Sequence, residues 1–260
     1  MLRLQKLFLA LALFSGIACE TNAQTFVRAP YIQRGAPKKA TVCWRISTAA
    51  ALTVKYGTDS TNFANTSAAS IDSTDACVAL DSTKLSPATK YYYAVYNGAT
   101  KLSTPNQQYF VTSPVVGSRN KYTFWIIGDA GQGTIDQYQV KNSFEKVNQS
   151  SHVDGFLMLG DNAYNNGLDA EFTSNLFNVY PDILANTFSW PTIGNHEVGS
   201  SSSGAYYLNS FSMPTNGESG GVASGSKLYY SFDYGNIHFV ILDSQLSSRA
   251  TTGPQYLWLQ

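Results

Sequence analysis

Phe156-Leu157-Met158-Leu159-Gly160-Asp161-Asn162-Ala163-Tyr164 is an apolar run that stops at a glycine and continues as Asp, Asn, Ala and Tyr. A short continuous apolar run bounded by a turn signal reads as a strand buried on both faces. The same grammar precedes Gly128-Asp129-Ala130-Gly131, after the apolar run Tyr122 to Ile127, and a third strand is expected before Gly194-Asn195-His196-Glu197. Glycine ahead of Asp129, Asp161 and Asn195 lets the backbone turn sharply and come close to whatever is bound. Asp129, Asp161 and Asn195 follow one another at intervals of 32 and 34 residues, each about the length of one strand-helix-strand repeat.

Helical spacing fills the gaps. Val140, Phe144 and Val147 predict a helix over Asp136 to Asn148, and Phe172, Leu176, Phe177, Tyr180, Ile183 and Leu184 recur at intervals of three and four. Pro181 is expected to start a second short helix there, because proline suits a first helical position and breaks an interior one. Strand, helix, strand, helix, strand implies right-handed crossovers and a largely parallel sheet covered by helices. Ligand sites in such sheets lie at the carboxyl ends of the strands, so all three motifs are expected on one rim.

On the N-terminal side the pattern differs. Ser113 to Asn120, with Pro114 and Gly117 and no periodicity, is placed as a domain boundary. From Phe26 to Thr112 the chain reads as short strands of period-2 alternation separated by Gly, Ser, Asn and Asp, the pattern of a β-sandwich. Trp44, Leu80 to Leu85, Tyr91-x-Tyr93 and Gln108 to Val111 make residues 24–113 resemble a fibronectin type III-like module. Beyond the third motif, Val198 to Lys227 is rich in Ser and Gly and is expected to be a long loop. Leu228 to Tyr234 and Ile237 to Leu242 alternate across Gly235-Asn236, a hairpin signal, and Gln255 to Gln260 opens as a helix.

The 260 residues suffice for two ordinary domains, and equal totals of 17 basic and 17 acidic residues leave no like-charge run to suit a nucleic-acid or membrane-surface partner. The first residues, with Arg3, Lys6, an apolar stretch from Leu7 to Ile17 and small residues at Ala18 and Ala23, read as a signal peptide over residues 1–23. That stretch is about half the roughly 20 apolar residues a membrane span needs. The alternative is a lipoprotein signal acylated at Cys19, where Gly16 stands in place of the usual aliphatic residue. Export would put Cys43 and Cys77 in an oxidising compartment. With Val42, Trp44 and Ile46 inward on one strand, and Val78 and Leu80 inward on another, both thiols are expected to point outward on the same side of a sheet. Neighbouring strands would give a cross-strand disulfide, and separated strands two free thiols.

Chemistry is carried by the three motifs. Asp129 and Asp161 offer hard oxygen ligands that repel one another unless a cation lies between them. Asn195 adds a neutral carbonyl oxygen. Tyr164 is informative because a phenolate binds well only where a strongly acidic ion such as ferric iron lowers its pKa.

Together the motifs resemble the first three of the five blocks of purple acid phosphatases, in the calcineurin-like metallophosphoesterase superfamily, and Tyr229 to Phe239 with Leu242-Asp243-Ser244 is similar to the segment after the third block. The fold this resemblance implies is the fibronectin type III-like β-sandwich followed, over residues 114–260, by the N-terminal part of an α/β metallophosphoesterase domain, an incomplete αββα sandwich. It implies that Asp129 and Tyr164 bind Fe(III), that Asp161 bridges, that Asn195 binds a divalent iron, zinc or manganese ion, and that His196 faces the substrate phosphate or leaving group. The implied reaction is hydrolysis of a phosphomonoester by a metal-held hydroxide, with two ions roughly 4 Å apart. The family's fourth and fifth blocks, with three histidine ligands and a further substrate histidine, would lie past Gln260. The expectation is therefore an enzyme as the full-length parent and an inactive chain as it stands. His152, read as a solvated surface residue, and His238, read as packed or edge-exposed, do not replace those ligands. A nucleotidase or phosphodiesterase of the same superfamily would share Asp129, Asp161, Asn195 and His196, Tyr164 favouring the purple acid type. The reading from another class is a secreted, non-catalytic binding protein.

Overall fold

The computed structural model describes residues 24–102, 104, 106–149, 151–199 and 203–260; the signal-peptide and Cys19 readings lie outside them. The first eight strands are β1 (Phe26–Ala36), β2 (Lys39–Ala50), β3 (Thr53–Gly57), β4 (Asn65–Thr66), β5 (Ser73–Ala79), β6 (Lys90–Asn97), β7 (Thr100–Lys101) and β8 (Gln108–Val111). They form two antiparallel sheets, one in the order β1-β2-β5 and one in the order β4-β3-β6 with both β7 and β8 paired to β6. β1 and β2 are longer than the short strands expected, and alternation along β2 gives way to near-continuous burial from Ala40 to Trp44.

The second half opens with β9 (Phe124–Ile127), α1 (Ile135–Asn148), β10 (Gly155–Met158), α2 (Asp169–Glu171) running into a π-helical turn over Phe172–Phe177, α3 (Pro181–Asn186) and β11 (Ser189–Pro191). Pro181 stands at the first turn of α3, as its chemistry requires. β9, β10 and β11 are parallel in the order β11-β10-β9, with Met158 opposite both Ile127 and Pro191. The three strands therefore finish level. Then come α4 (Asn195–Val198), α5 (Ala205–Ser210), the hairpin β12 (Tyr230–Tyr234) and β13 (Ile237–Ile241), and α6 (Pro254–Leu259). Gly235 turns the hairpin with φ +57°, a conformation natural to glycine. β12 and β13 cover the parallel sheet through aromatic contacts, Trp190 stacked on Phe232 at 3.7 Å and Phe124 tilted against Phe239 at 4.9 Å. Among the described residues no helix is long and apolar enough to cross a membrane.

Several expectations are corrected. Cys43 and Cys77 lie opposite one another on β2 and β5 and are disulfide-bonded, on the same side of the sheet as expected, but Cys43 is fully buried while Cys77, on the edge strand, is exposed. Cys43 shares its face with Tyr31 and Gln33, and the end of α5 with the segment after it lies against that face: the Tyr31 hydroxyl donates to the Ser210 carbonyl at 2.7 Å, and the Ser212 N–H to Gln33 Oε1. At β1 and β2 the sheet is thus covered on both sides. The Ser/Gly-rich stretch is not loop throughout, because Tyr207 is buried inside α5 with its hydroxyl donating to the Pro191 carbonyl at 2.9 Å. Its aromatic payload outweighs the polar composition around it. His152 is not a solvated residue: it is half-buried beside Tyr109, and burial lowers its pKa. His238 is exposed on β13 and meets Asp233 at 2.6 Å.

The two halves are joined by a buried cation. Arg28, 1 % exposed on β1, donates to Thr173 Oγ1 at 3.0 Å, Ser210 Oγ at 2.9 Å, the Asp169 carbonyl at 3.0 Å and Asp169 Oδ1 at 2.8 Å. Arg45, on β2, grips both carboxylate oxygens of Asp169. That grip holds the Asp169 carboxyl below the usual carboxylate range, the Arg45 hydrogen bond being the largest cause. A depressed folded-state pKa gives stability that is full above the unfolded value of about 3.9 and is lost as pH falls through the folded one. Melting temperatures measured from pH 5 downward are expected to fall, and Asp169→Asn is expected to flatten that fall while lowering the melting temperature at pH 5.

Candidate metal centre

The rim where the three strands finish is built by close backbone approach. Asp129 and Asp161 occupy left-handed conformations, φ +55° and +51°, which cost a non-glycine residue energy. Two backbone bonds hold the pair in place: the Asp129 N–H donates to the Gly160 carbonyl at 3.2 Å, and the Gly131 N–H to the Asp161 carbonyl at 3.1 Å. Gly131 is obligatory for space, since a Cβ there would lie 2.1 Å from the Asn162 carbonyl carbon.

The carboxylates converge on one phenol. Tyr164 Oη lies 3.1 Å from Asp129 Oδ1 and 3.0 Å from Asp161 Oδ2. Desolvation, and then the hydrogen bond and charge of Asp161, raise the phenol pKa well above its usual value. The other oxygen of Asp161, Oδ1, accepts the His196 backbone N–H at 2.9 Å. His196 lies beside Tyr164 with ring centroids 4.2 Å apart, and Asn195 is exposed at the first turn of α4. Asp129, Asp161, Tyr164 and His196 are therefore linked side by side, with Asn195 next to them on the same rim.

The donor set suits a hard, highly charged cation. Among the described residues neither Asp129 nor Asp161 forms an ion pair with Lys or Arg, so two carboxylates share one phenolic proton without counter-charge. Among the described residues no three of His, Cys, Asp and Glu gather as a metal site, and any cation would rely on phenol and amide oxygen beside the carboxylates. Oxygen donors of that kind fit a Lewis-acidic ion that displaces the phenolic proton.

Two glutamates were not singled out in the sequence. Glu197, wholly buried at the third turn position of α4, accepts backbone N–H groups from Gly194 at 2.6 Å, Asn162 at 2.6 Å, Ala163 at 3.0 Å and Asp161 at 3.1 Å. One carboxylate thereby ties the loop after β10 to the loop after β11. Burial pushes its pKa up, and the backbone donors pull it back. Glu171 does the same for the next loop, accepting from Asn165 at 2.8 Å, Asn166 at 3.0 Å and Leu168 at 2.9 Å. Each stands three residues after a helix cap, Gly194 and Leu168 respectively. A glutamate at that position is the sequence signal of half a capping box.

No protein-family model matches the chain. A phosphoenolpyruvate phosphatase of Allium cepa is 30 % identical over 193 residues, covering 68 % of this chain and 36 % of that protein. A purple acid phosphatase of Glycine max is 30 % identical over 181 residues, covering 66 % and 36 %. The structure of a purple acid phosphatase isolated from yellow lupin (Lupinus luteus) seeds superposes with a TM-score of 0.70 at 19 % identity, covering 89 % of this chain and 48 % of that one. The fold is therefore that of a metallophosphoesterase, and the chain spans a little over a third of the length of the two curated relatives. The chain belongs to the purple acid phosphatase family.

Proposed function

We propose that this member of the purple acid phosphatase family contributes to a phosphomonoester hydrolase in which Asp129 and Tyr164 would hold Fe(III), Asp161 would serve both ions and Asn195 would hold a divalent iron, zinc or manganese ion. The observation that carries the reading is the convergence of Asp129 and Asp161 on the Tyr164 hydroxyl at 3.1 and 3.0 Å. When bound, such a cation pair supplies Lewis acidity toward phosphoryl oxygens and water. The chain's own residues orient and move protons. Asp161 fixes the start of α4 through the His196 backbone N–H, and His196 Nδ1 meets the Asn165 carbonyl at 2.7 Å. A carbonyl only accepts, so Nδ1 carries a proton and Nε2 is the ring atom left for substrate. In hydrolysis the oxygen of water bonds to phosphorus and the phosphorus–oxygen ester bond breaks; His196, doubly protonated as the ester breaks, would give its Nε2 proton to the departing oxygen and regain it from the proton that water releases.

The same reading extends to the rest of the chain. Residues 24–113 are proposed as a fibronectin type III-like β-sandwich, and residues 114–260 as part of the calcineurin-like domain. The protein is proposed to act outside the cytoplasm, where a Cys43–Cys77 disulfide persists. A tyrosinate on ferric iron absorbs visible light, which colourless manganese-loaded relatives of other activity would not. The full-length protein carrying this chain is expected to be coloured and to contain iron, and Tyr164→Phe is expected to bleach it with iron retained in at least part. A colourless protein, or a band unaffected by Tyr164→Phe, would remove the ferric assignment.

A further inference from the structure

We propose that Glu171 is a positioning residue for His196, acting through the loop between Tyr164 and Asp169. The inference rests on the reading that His196 faces the reacting phosphate. Asn165 is exposed, in an Asn-Asn-Gly sequence with no apolar side chain to anchor it, yet its carbonyl sets which ring nitrogen of His196 holds the proton. What holds that carbonyl is a complete set of backbone bonds. Glu171 takes the N–H groups of Asn165, Asn166 and Leu168, and the Gly167 N–H donates to the Ala163 carbonyl at 3.0 Å. Asn175 Nδ2 donates to the Tyr164 carbonyl at 3.0 Å, fixing the preceding residue. Gly167, with φ +60°, lets the loop pass over α4, where a Cβ would lie 2.5 Å from the Cα of Glu197.

The far end of the loop is fixed from the other half of the molecule, because Asp169 is gripped by Arg28 and Arg45. Glu171 thus converts a rigid attachment at Asp169 into a fixed position for the Asn165 carbonyl. Without it, the N–H groups of Asn165 and Leu168 lose this acceptor and the carbonyl is free to leave the ring.

The 260-residue chain has three histidines, so its imidazoles can be resolved by NMR after 15N-histidine labelling. His196 is expected as the Nδ1–H tautomer in the unaltered protein. Glu171→Ala is expected to shift it toward the Nε2–H form that an unconstrained histidine side chain prefers. Glu171→Gln, which keeps one acceptor oxygen, is expected to fall between. In the full-length protein, kcat for p-nitrophenyl phosphate should fall by about 10- to 100-fold with Glu171→Ala while KM moves less, since misplacing a reacting group by an ångström has an effect of that size. A merely structural glutamate would lower the melting temperature and leave the tautomer unchanged; that result, or an Nε2–H tautomer in the unaltered protein, overturns the assignment. Should Glu171→Ala not fold, Glu171→Gln and the unaltered tautomer still decide. A tautomer shift in a protein that hydrolyses no phosphomonoester would uphold the positioning and sink the functional reading instead.

Discussion

Glu197→Ala is expected to be the most destabilising single substitution on the rim, lowering the unfolding free energy by about 3 kcal/mol or more. The side chain is wholly buried and accepts four backbone N–H groups from two loops. Hydrogen bonds to a charged group are worth roughly 1.5–3 kcal/mol each, and a buried donor left without a partner costs about 1–3 kcal/mol. Relief of burying a carboxylate, whose pKa is already pushed up by desolvation, offsets part of the loss. Glu197→Gln separates the two effects. It removes the charge and keeps one acceptor oxygen, so two of the four donors retain a partner. The glutamine variant should lose less than the alanine one. Urea unfolding of the 260-residue chain measures both, and equal stability of the two variants would show that the carboxylate's charge alone matters. Because Asp161 and Asn162 are among the tethered residues, the alanine variant should also lose affinity for any ion on the rim.

Why Glu197 and Glu171 escaped the sequence reading is a physical matter. The position of each, three residues after a cap, is visible in the chain. Their partners on the loop after β10 depend on where that loop lies in space, and for Glu197 this is 34 to 36 residues away along the chain. Local rules reach a turn or a helix end and no further. They sufficed where the signal is local: Pro181 opens α3, Gly235 turns the hairpin, and the glycines before Asp129, Asp161 and Asn195 mark the three strand ends. They failed where a second surface decides burial. Cys43 and His152 were assigned to solvent from their own strand or flank, whereas the end of α5 and the segment after it cover the face bearing Cys43, and His152 lies against Tyr109. In α1 the helical spacing of Val140, Phe144 and Val147 marks the helix, yet Val140 and Val147 are 54 % and 82 % exposed, with Phe144 engaged by stacking on Trp125 at 3.9 Å.

Asp161→Asn should abolish more of the proposed hydrolysis than any other rim substitution, because Asp161 contacts Tyr164, His196, Glu197 and Gly131 at once. Its Oδ2 meets Tyr164, its Oδ1 receives the His196 backbone N–H, its own N–H rests on Glu197, and its carbonyl receives Gly131. Asparagine is nearly isosteric and can retain the last two. It can also keep an oxygen toward His196, in which case an amide N–H₂ faces the Tyr164 hydroxyl and the negative charge proposed to serve both ions is gone. Loss of that charge should leave less than one ion bound per chain in the full-length protein and lower kcat by on the order of a thousandfold, equivalent to about 4 kcal/mol of transition-state stabilisation. Asp129→Asn is expected to do less to the fold of the rim, since Asp129 contributes only Oδ1 and a backbone N–H to the contacts around it. Metal analysis, melting temperature and turnover of p-nitrophenyl phosphate measured together discriminate the causes. Lost turnover with full metal content would move Asp161 from shared ligand to orienting acceptor for α4, and lost stability with unchanged turnover would exclude it from the chemistry.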